Sequence, residues 1–388
     1  MDNQLFETVL PVAELLIIKR DVDLLKKMAT ANPNSIFMLN IMPYVAMVCY
    51  EAVEHMNSMG ESIEISQKSR FSIKDVRNKA KFFDLKFNQI MQSTINVDKL
   101  QHRSFIQQMK YPELAKWNIH DNLGIYFDSS KKVLGNTQYP VWVFQDSDTI
   151  KKPLSTMEGF DIQNSDSRDF GYDLGALIGM LSNSLASVND FMTNDIDFRD
   201  FKYHANDFNT NRCETVNVEG YKTIRLLLVH ILSSIGFVLY GAKKCIIREN
   251  GLLLKIEYII LHYALKRLDE IKKFLADKAD FSDIKLLDCV SRFDFANNQV
   301  LDIEFGKCMR HYGLRDKDGN SLIAFDNLDL ALPLCGLVET RFNVAYEEYK
   351  MSVEKELEKI YDSLHEYMGF DSTLSLRRDK LLKTNALL

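Results

Sequence analysis

The sequence predicts a mainly α protein with a helical N-terminal region, a small β-hairpin insert and a C-terminal helical bundle. Three observations predict it. Apolar residues recur at helical spacing from Glu7 to about Trp117; short aromatic and β-branched runs interrupt them between 119 and 160; long amphipathic runs resume after 217. No period of 20 to 50 residues repeats, which disfavours a solenoid. The expected divisions are 1–118 (helical N-terminal region), 119–216 (hairpin, helix and linker), 217–370 (helical bundle) and 371–388 (basic tail).

In "PVAELLIIKRDVDLLKKMA", apolar groups fall at Val12, Leu15, Leu16, Val22 and Leu25 with charges between them, and Pro11 suits a first helical turn. "SIFMLNIMPYVAMVCYEAVEHM" continues the pattern, with Pro43 expected to kink or split it. "SIKDVRNKAKFFDLKFNQIM" opens on a Ser72 cap with Asp75 three residues on. "LGIYF" and "YPVWVF" read as strands around the turn-forming "DSSKKVLGNTQ". A helix at "YDLGALIGMLSNSLASVNDFM" is followed by a polar stretch, 193–220, read as a long loop or linker with a boundary near 215. Beyond it, "YKTIRLLLVHILSSIGFVLYGAKK" and "LLLKIEYIILHYALKRLDEIKKFLADK" predict two long neighbouring helices joined at "ENG". A third follows at "NNQVLDIEFGKCMRHYGL", and residues 329–368 supply one or two more.

At 388 residues and 46% hydrophobic, the chain can bury one large core or two ordinary ones. A formal net charge of -6 argues against a chain-wide polyanion coat, so any such contact is expected to be local. Six scattered cysteines without a Cys-x-x-Cys pair read as reduced thiols, and an acidic start without a basic leader points to the cytoplasm. The run Leu226–Ala242 contains His230, two serines and a glycine, and reads as a buried helix; no membrane partner is expected. Metalloprotease, P-loop and α/β-hydrolase motifs do not occur. "DKDGNSLIAFDN" imitates a calcium loop but has Gly319 in the wrong place and Asn327 where a bidentate Glu belongs, so a tight turn is expected. His230 and His262 are expected in packing roles.

The chemistry-bearing stretch is "DIEFGKCMRHYGLRDKDGN", residues 302–320, where Lys307, Arg310, His311, Arg315 and Lys317 crowd together. Written as a helix, Leu301, Phe305, Cys308 and Tyr312 form an apolar stripe, and His311 falls at its border beside Glu304 and Lys307. Gly306 permits a close approach and Gly313 is placed to end the helix. A histidine at a helix C-terminus, with cations one and four residues before it, has the parts for handling a phosphate.

The last helices, and above all "FGKCMRHYGL", resemble the HEPN proteins, the higher-eukaryote and prokaryote nucleotide-binding family of helical bundles, over about residues 217 to 370. Members typically carry an Arg, often followed by Asn, four to six residues before a His. Gly306 and Lys307 stand where the family places that pair. The resemblance implies a HEPN-like bundle acting on RNA or a nucleotide, as a metal-independent endoribonuclease of a toxin or antiviral defence system, without cofactor and as a homodimer through the C-terminal bundle. On this sequence it makes His311 the general base, Lys307 and Arg310 the charge-stabilising catalytic residues, and Arg315 and Lys317 RNA-binding residues. The alternative is a non-catalytic helical sensor, antitoxin-like or dimerisation module.

Overall fold

The computed structural model describes residues 3–31, 33–80, 86–108, 121–144, 164–190, 195–213, 215–218, 220–248, 251–278 and 283–370. The basic tail expected at 371–388 lies outside the described residues. Among the described residues, helices predominate and the strands form two small sheets, so the fold is mainly α, as the periodicity predicts.

Four helices open the chain: α1 (Asn3–Thr30), α2 (Ser35–Ser58), α3 (Ile73–Ala80) and α4 (Phe87–Gln108). Pro11 sits inside α1 instead of in its first turn, and α2 runs through Pro43 without splitting. α2 starts where the Asn34 side chain accepts the Ile36 N–H at 2.8 Å, satisfying one of the orphan donors of the first turn. Ser72 caps α3 more weakly, accepting the Asp75 N–H at 3.4 Å.

The insert differs from its sequence reading. β1 (Leu123–Phe127) pairs antiparallel with β2 (Val133–Asn136), which lies within the stretch read as a turn, whereas "YPVWVF" contributes to a short helix, α5 (Gln138–Val143). The cause is local. The Asn136 carboxamide accepts the N–H groups of Gln138 and Tyr139, both at 3.0 Å, and turns the chain into a helix; Pro140 has no N–H for a ladder. The hairpin loop itself is held by Asp128, which accepts from the Ser130 and Lys132 N–H groups.

After α6 (Asn164–Ser184), the segment read as linker holds β3 (Asp195–Ile196) and β4 (His204–Phe208). β4 joins β1 on the side away from β2, with Leu123 opposite Phe208 and Phe127 opposite His204. β3 pairs with β5 (Ile246–Arg248).

α7 (Lys222–Gly236) continues as a π-helical stretch, Phe237–Ala242. Then come α8 (Leu252–Ala276), α9 (Ile284–Ser291), α10 (Ile303–His311), α11 (Pro333–Phe342) and α12 (Tyr346–Met368). α9 was not anticipated by the sequence reading. α10 is shorter than expected at its start, and Asn343, in left-handed conformation, separates α11 from α12. Among the described residues, one continuous buried apolar core draws on residues from Leu10 to Phe370. Two helical stretches, Ser35–Ser58 and Lys222–Cys245, are long and apolar enough to cross a membrane; 83% of each one's most apolar window is buried against the rest of the protein.

Candidate active site

The site is built from the end of α10. Asp302 caps that helix, accepting the Phe305 N–H at 2.7 Å, and is itself held by Arg341. Phe305, Cys308 and Tyr312 are buried as the stripe requires, which fixes the rotation of the helix and brings His311 to the surface. Gly306 matters by contact: a Cβ there would meet the Tyr258 ring at 3.2 Å. The residue that ends the helix is Tyr312, at φ 59°, and not Gly313.

His311 is 43% exposed, and its Nδ1 lies 2.7 Å from Oε2 of Glu51 on α2. Glu51 is buried, and its other oxygen accepts from the Arg77 guanidinium of α3, through Nε at 2.5 Å and also through Nη2. Burial lowers the Arg77 pKa; the phenols of Tyr50 and Tyr263 oppose that shift, and the positive charge of Arg310 adds to it. Arg310 therefore shares the neighbourhood. Its Nε donates to the Gly306 carbonyl at 2.7 Å and its Nη1 to the Tyr263 hydroxyl at 3.2 Å; among the described residues no carboxylate pairs with it. One guanidinium, Arg77, thus pairs with the Glu51 carboxylate, and a second, Arg310, lies near enough to act on Arg77 electrostatically, beside an exposed imidazole.

The other predicted residues are placed differently. Lys307 donates to Glu304, one turn earlier, at 2.7 Å, so its charge is locally balanced. Arg315 folds back on the Gly319 carbonyl at 3.0 Å, and Lys317 is exposed at the tip of the same turn. That turn is held by Asp316, whose carboxylate accepts the N–H groups of Asp318 and Asn320 and the Asn320 amide. His262 packs against the rings of Tyr263 and Phe295, at 5.0 and 5.2 Å between centroids. His230 is buried, and desolvation pushes its pKa down to about 4.

Sequence reasoning missed Glu51, Arg77 and Tyr263. All three lie far from His311 in the chain, and only the fold carries Arg77 to within one carboxylate of it.

The polar ties of the segment after α10 form a row. Glu51 joins His311 to Arg77; Asp21 joins the Tyr312 hydroxyl, at 2.6 Å, to Lys255; Glu14 joins the Leu314 N–H, at 2.7 Å, to His55. All three carboxylates come from α1 and α2. No family model, no curated protein and no solved structure matches the chain.

Proposed function

We propose that the chain is a cytoplasmic, HEPN-like protein acting on RNA, a metal-independent endoribonuclease with His311 as general base. One observation carries the reading: an exposed imidazole has its Nδ1 fixed 2.7 Å from a buried carboxylate, in the neighbourhood of an arginine that no described carboxylate neutralises. A carboxylate on one ring nitrogen fixes the tautomer and orientation of the ring, and stabilises the imidazolium formed when the other nitrogen takes a proton. His311 removes the proton of a ribose 2′-hydroxyl, the 2′-oxygen attacks the adjacent phosphorus, and the bond from phosphorus to the 5′-oxygen breaks. Arg310 stabilises the negative charge that accumulates on the phosphoryl oxygens. The products are a 2′,3′-cyclic phosphate and a 5′-hydroxyl, which takes its proton from solvent.

The non-catalytic reading, a dimerising helical module, draws on the Lys307–Glu304 pair, which leaves that lysine locally balanced. One experiment separates the two. Purified protein is incubated with mixed RNA, with and without EDTA, beside His311→Ala. Cleavage that survives chelation, yields cyclic phosphate ends and disappears in the variant is the expected result. Intact RNA with the unaltered protein, or equal cleavage by His311→Ala, overturns the proposal.

A further inference from the structure

The residue after His311 is held in a conformation that its own chemistry disfavours. Tyr312 lies at φ 59°, where an L side chain is uncommon and a bulky one more so. Such a conformation persists only where the surroundings over-determine it. Here they do so with charge. The Tyr312 hydroxyl donates to Oδ2 of Asp21 at 2.6 Å, the same oxygen ion-pairs with Lys255, and the Lys255 ammonium lies 4.0 Å from the centroid of the Tyr312 ring. The side chains of Asp21 and Lys255 are each 1% exposed, and Tyr312 is 4% exposed. Burial, reinforced by the charge of Asp21, raises the Tyr312 pKa well above its ordinary value and keeps the hydroxyl a donor.

A buried ion pair is a weak stabiliser compared with an apolar packing of the same volume, so its presence calls for another role. We infer that Asp21, Lys255 and Tyr312 are positioning residues for His311: anchored on α1 and α8, they fix the backbone reversal at position 312 that seats the His311 imidazole on Glu51. The chain geometry supports this directly. The Gly313 N–H closes back on the His311 carbonyl at 2.7 Å, and the next ordered donor, the Leu314 N–H, is fixed on α1 by Glu14. With position 312 anchored, position 311 has one orientation. Without the phenol–carboxylate bond, φ at 312 relaxes toward the right-handed region, the last turn of α10 re-forms differently, and the ring leaves Glu51.

The inference rests on the reading of His311 as a base, and its test has a readout that does not depend on it. The full-length Tyr312→Phe variant keeps the ring over Lys255 and deletes only the hydroxyl. The tautomer and the Nδ1 hydrogen bond of His311 are read from its ring nitrogen shifts by NMR, alongside circular dichroism and RNA cleavage kinetics. The expected result is a folded protein in which His311 loses the tautomer bias imposed by Glu51 and kcat falls about tenfold or more with KM little changed. If the variant does not stay folded, Asp21→Asn is read in the same way, with the same expectation for the ring. Unchanged His311 nitrogen shifts in a folded variant, with only a lower Tm, overturn the inference and leave the triad structural. Altered shifts in a protein whose unaltered form cleaves no RNA retain the positioning role and remove the nuclease reading.

Discussion

Glu51 and His311 stand 260 positions apart in the chain and 2.7 Å apart in the fold. The contact places half of the candidate site on the N-terminal helices. α2 supplies the carboxylate, α3 the arginine paired with it, α8 the tyrosine under Arg310, and α10 the histidine. A bundle of the last helices alone would present the imidazole without its Glu51 partner, so the N-terminal region is part of the candidate site.

Replacing Glu51 with Gln tests that statement. The amide keeps the shape and can accept one bond, but it carries no charge to stabilise an imidazolium and leaves the half-buried Arg77 without its counter-ion. Single-turnover cleavage is expected to slow by up to about 10⁴-fold, as when the orienting carboxylate of a catalytic histidine is neutralised. Thermal or urea unfolding should show a loss of about 3 kcal/mol from the broken pair. Cleavage at the unaltered rate would mean that the carboxylate serves Arg77 alone.

Arg310→Lys asks whether the second cation acts as a fork or as a point charge. A lysine keeps the charge but cannot bond the Gly306 carbonyl and the Tyr263 hydroxyl while presenting a planar donor pair to a phosphate. The expected outcome is a cleavage rate lower by roughly 10²-fold with helix content unchanged by circular dichroism. Full activity in the lysine variant would reduce Arg310 to a screening charge.

Much of this arrangement was legible in the sequence, and the omissions have physical causes. Helical periodicity located most of the helices because a buried stripe repeats every 3.6 residues, and it placed His311 on the border of such a stripe, where the structure exposes it. The second strand was misplaced because "YPVWVF" has strand composition while the Asn136 carboxamide, a single side chain, starts a helix there. β4 escaped because "HANDF" lacks the β-branched texture of a strand and is made one by pairing with β1. Glu51 escaped for a similar reason: on a largely apolar helix a glutamate reads as a surface position, and only the approach of α3 and α10 shows it buried between Arg77 and His311.

Gly236 marks where α7 presses on the hairpin. A Cβ built there collides with the Val133 carbonyl, which belongs to β2, and meets the Tyr361 ring at 2.8 Å, while the Val133 N–H donates to the hydroxyl of that same tyrosine at 2.7 Å. Neither neighbour can retreat without losing a backbone contact, so Gly236→Ala is expected to destabilise the protein by about 3 kcal/mol, read as a lower urea midpoint at unchanged slope. An alanine variant with the original midpoint would show that the hairpin shifts freely against α7.

Acid sensitivity should include contributions from two groups on facing elements, His230 and Asp98. His230 on α7 is buried, and desolvation lowers its pKa to about 4, below the ordinary 6.5, with the charge of Asp98 opposing that shift. A histidine held neutral in the fold but protonated when unfolded contributes stability above its unfolded pKa, and that contribution fades as pH falls from about 6.5 to about 4, by roughly 3 kcal/mol in all. Asp98 follows at lower pH. Burial alone would raise its pKa, but the Lys222 ammonium at 2.7 Å and the Thr210 hydroxyl at 2.8 Å outweigh burial and hold it below the usual 3.8. Its folded pKa is depressed, so its contribution is present above the ordinary carboxylate range and is lost as pH falls through and below 3.8. Tm measured against pH should therefore decline in two stages, the first beginning near pH 6.5. His230→Gln should flatten the first stage and leave the second, and Asp98→Asn should reduce the second, which Asp128 and Asp283 share, while lowering Tm at neutral pH. A first stage that persists unchanged in His230→Gln would assign it to another group.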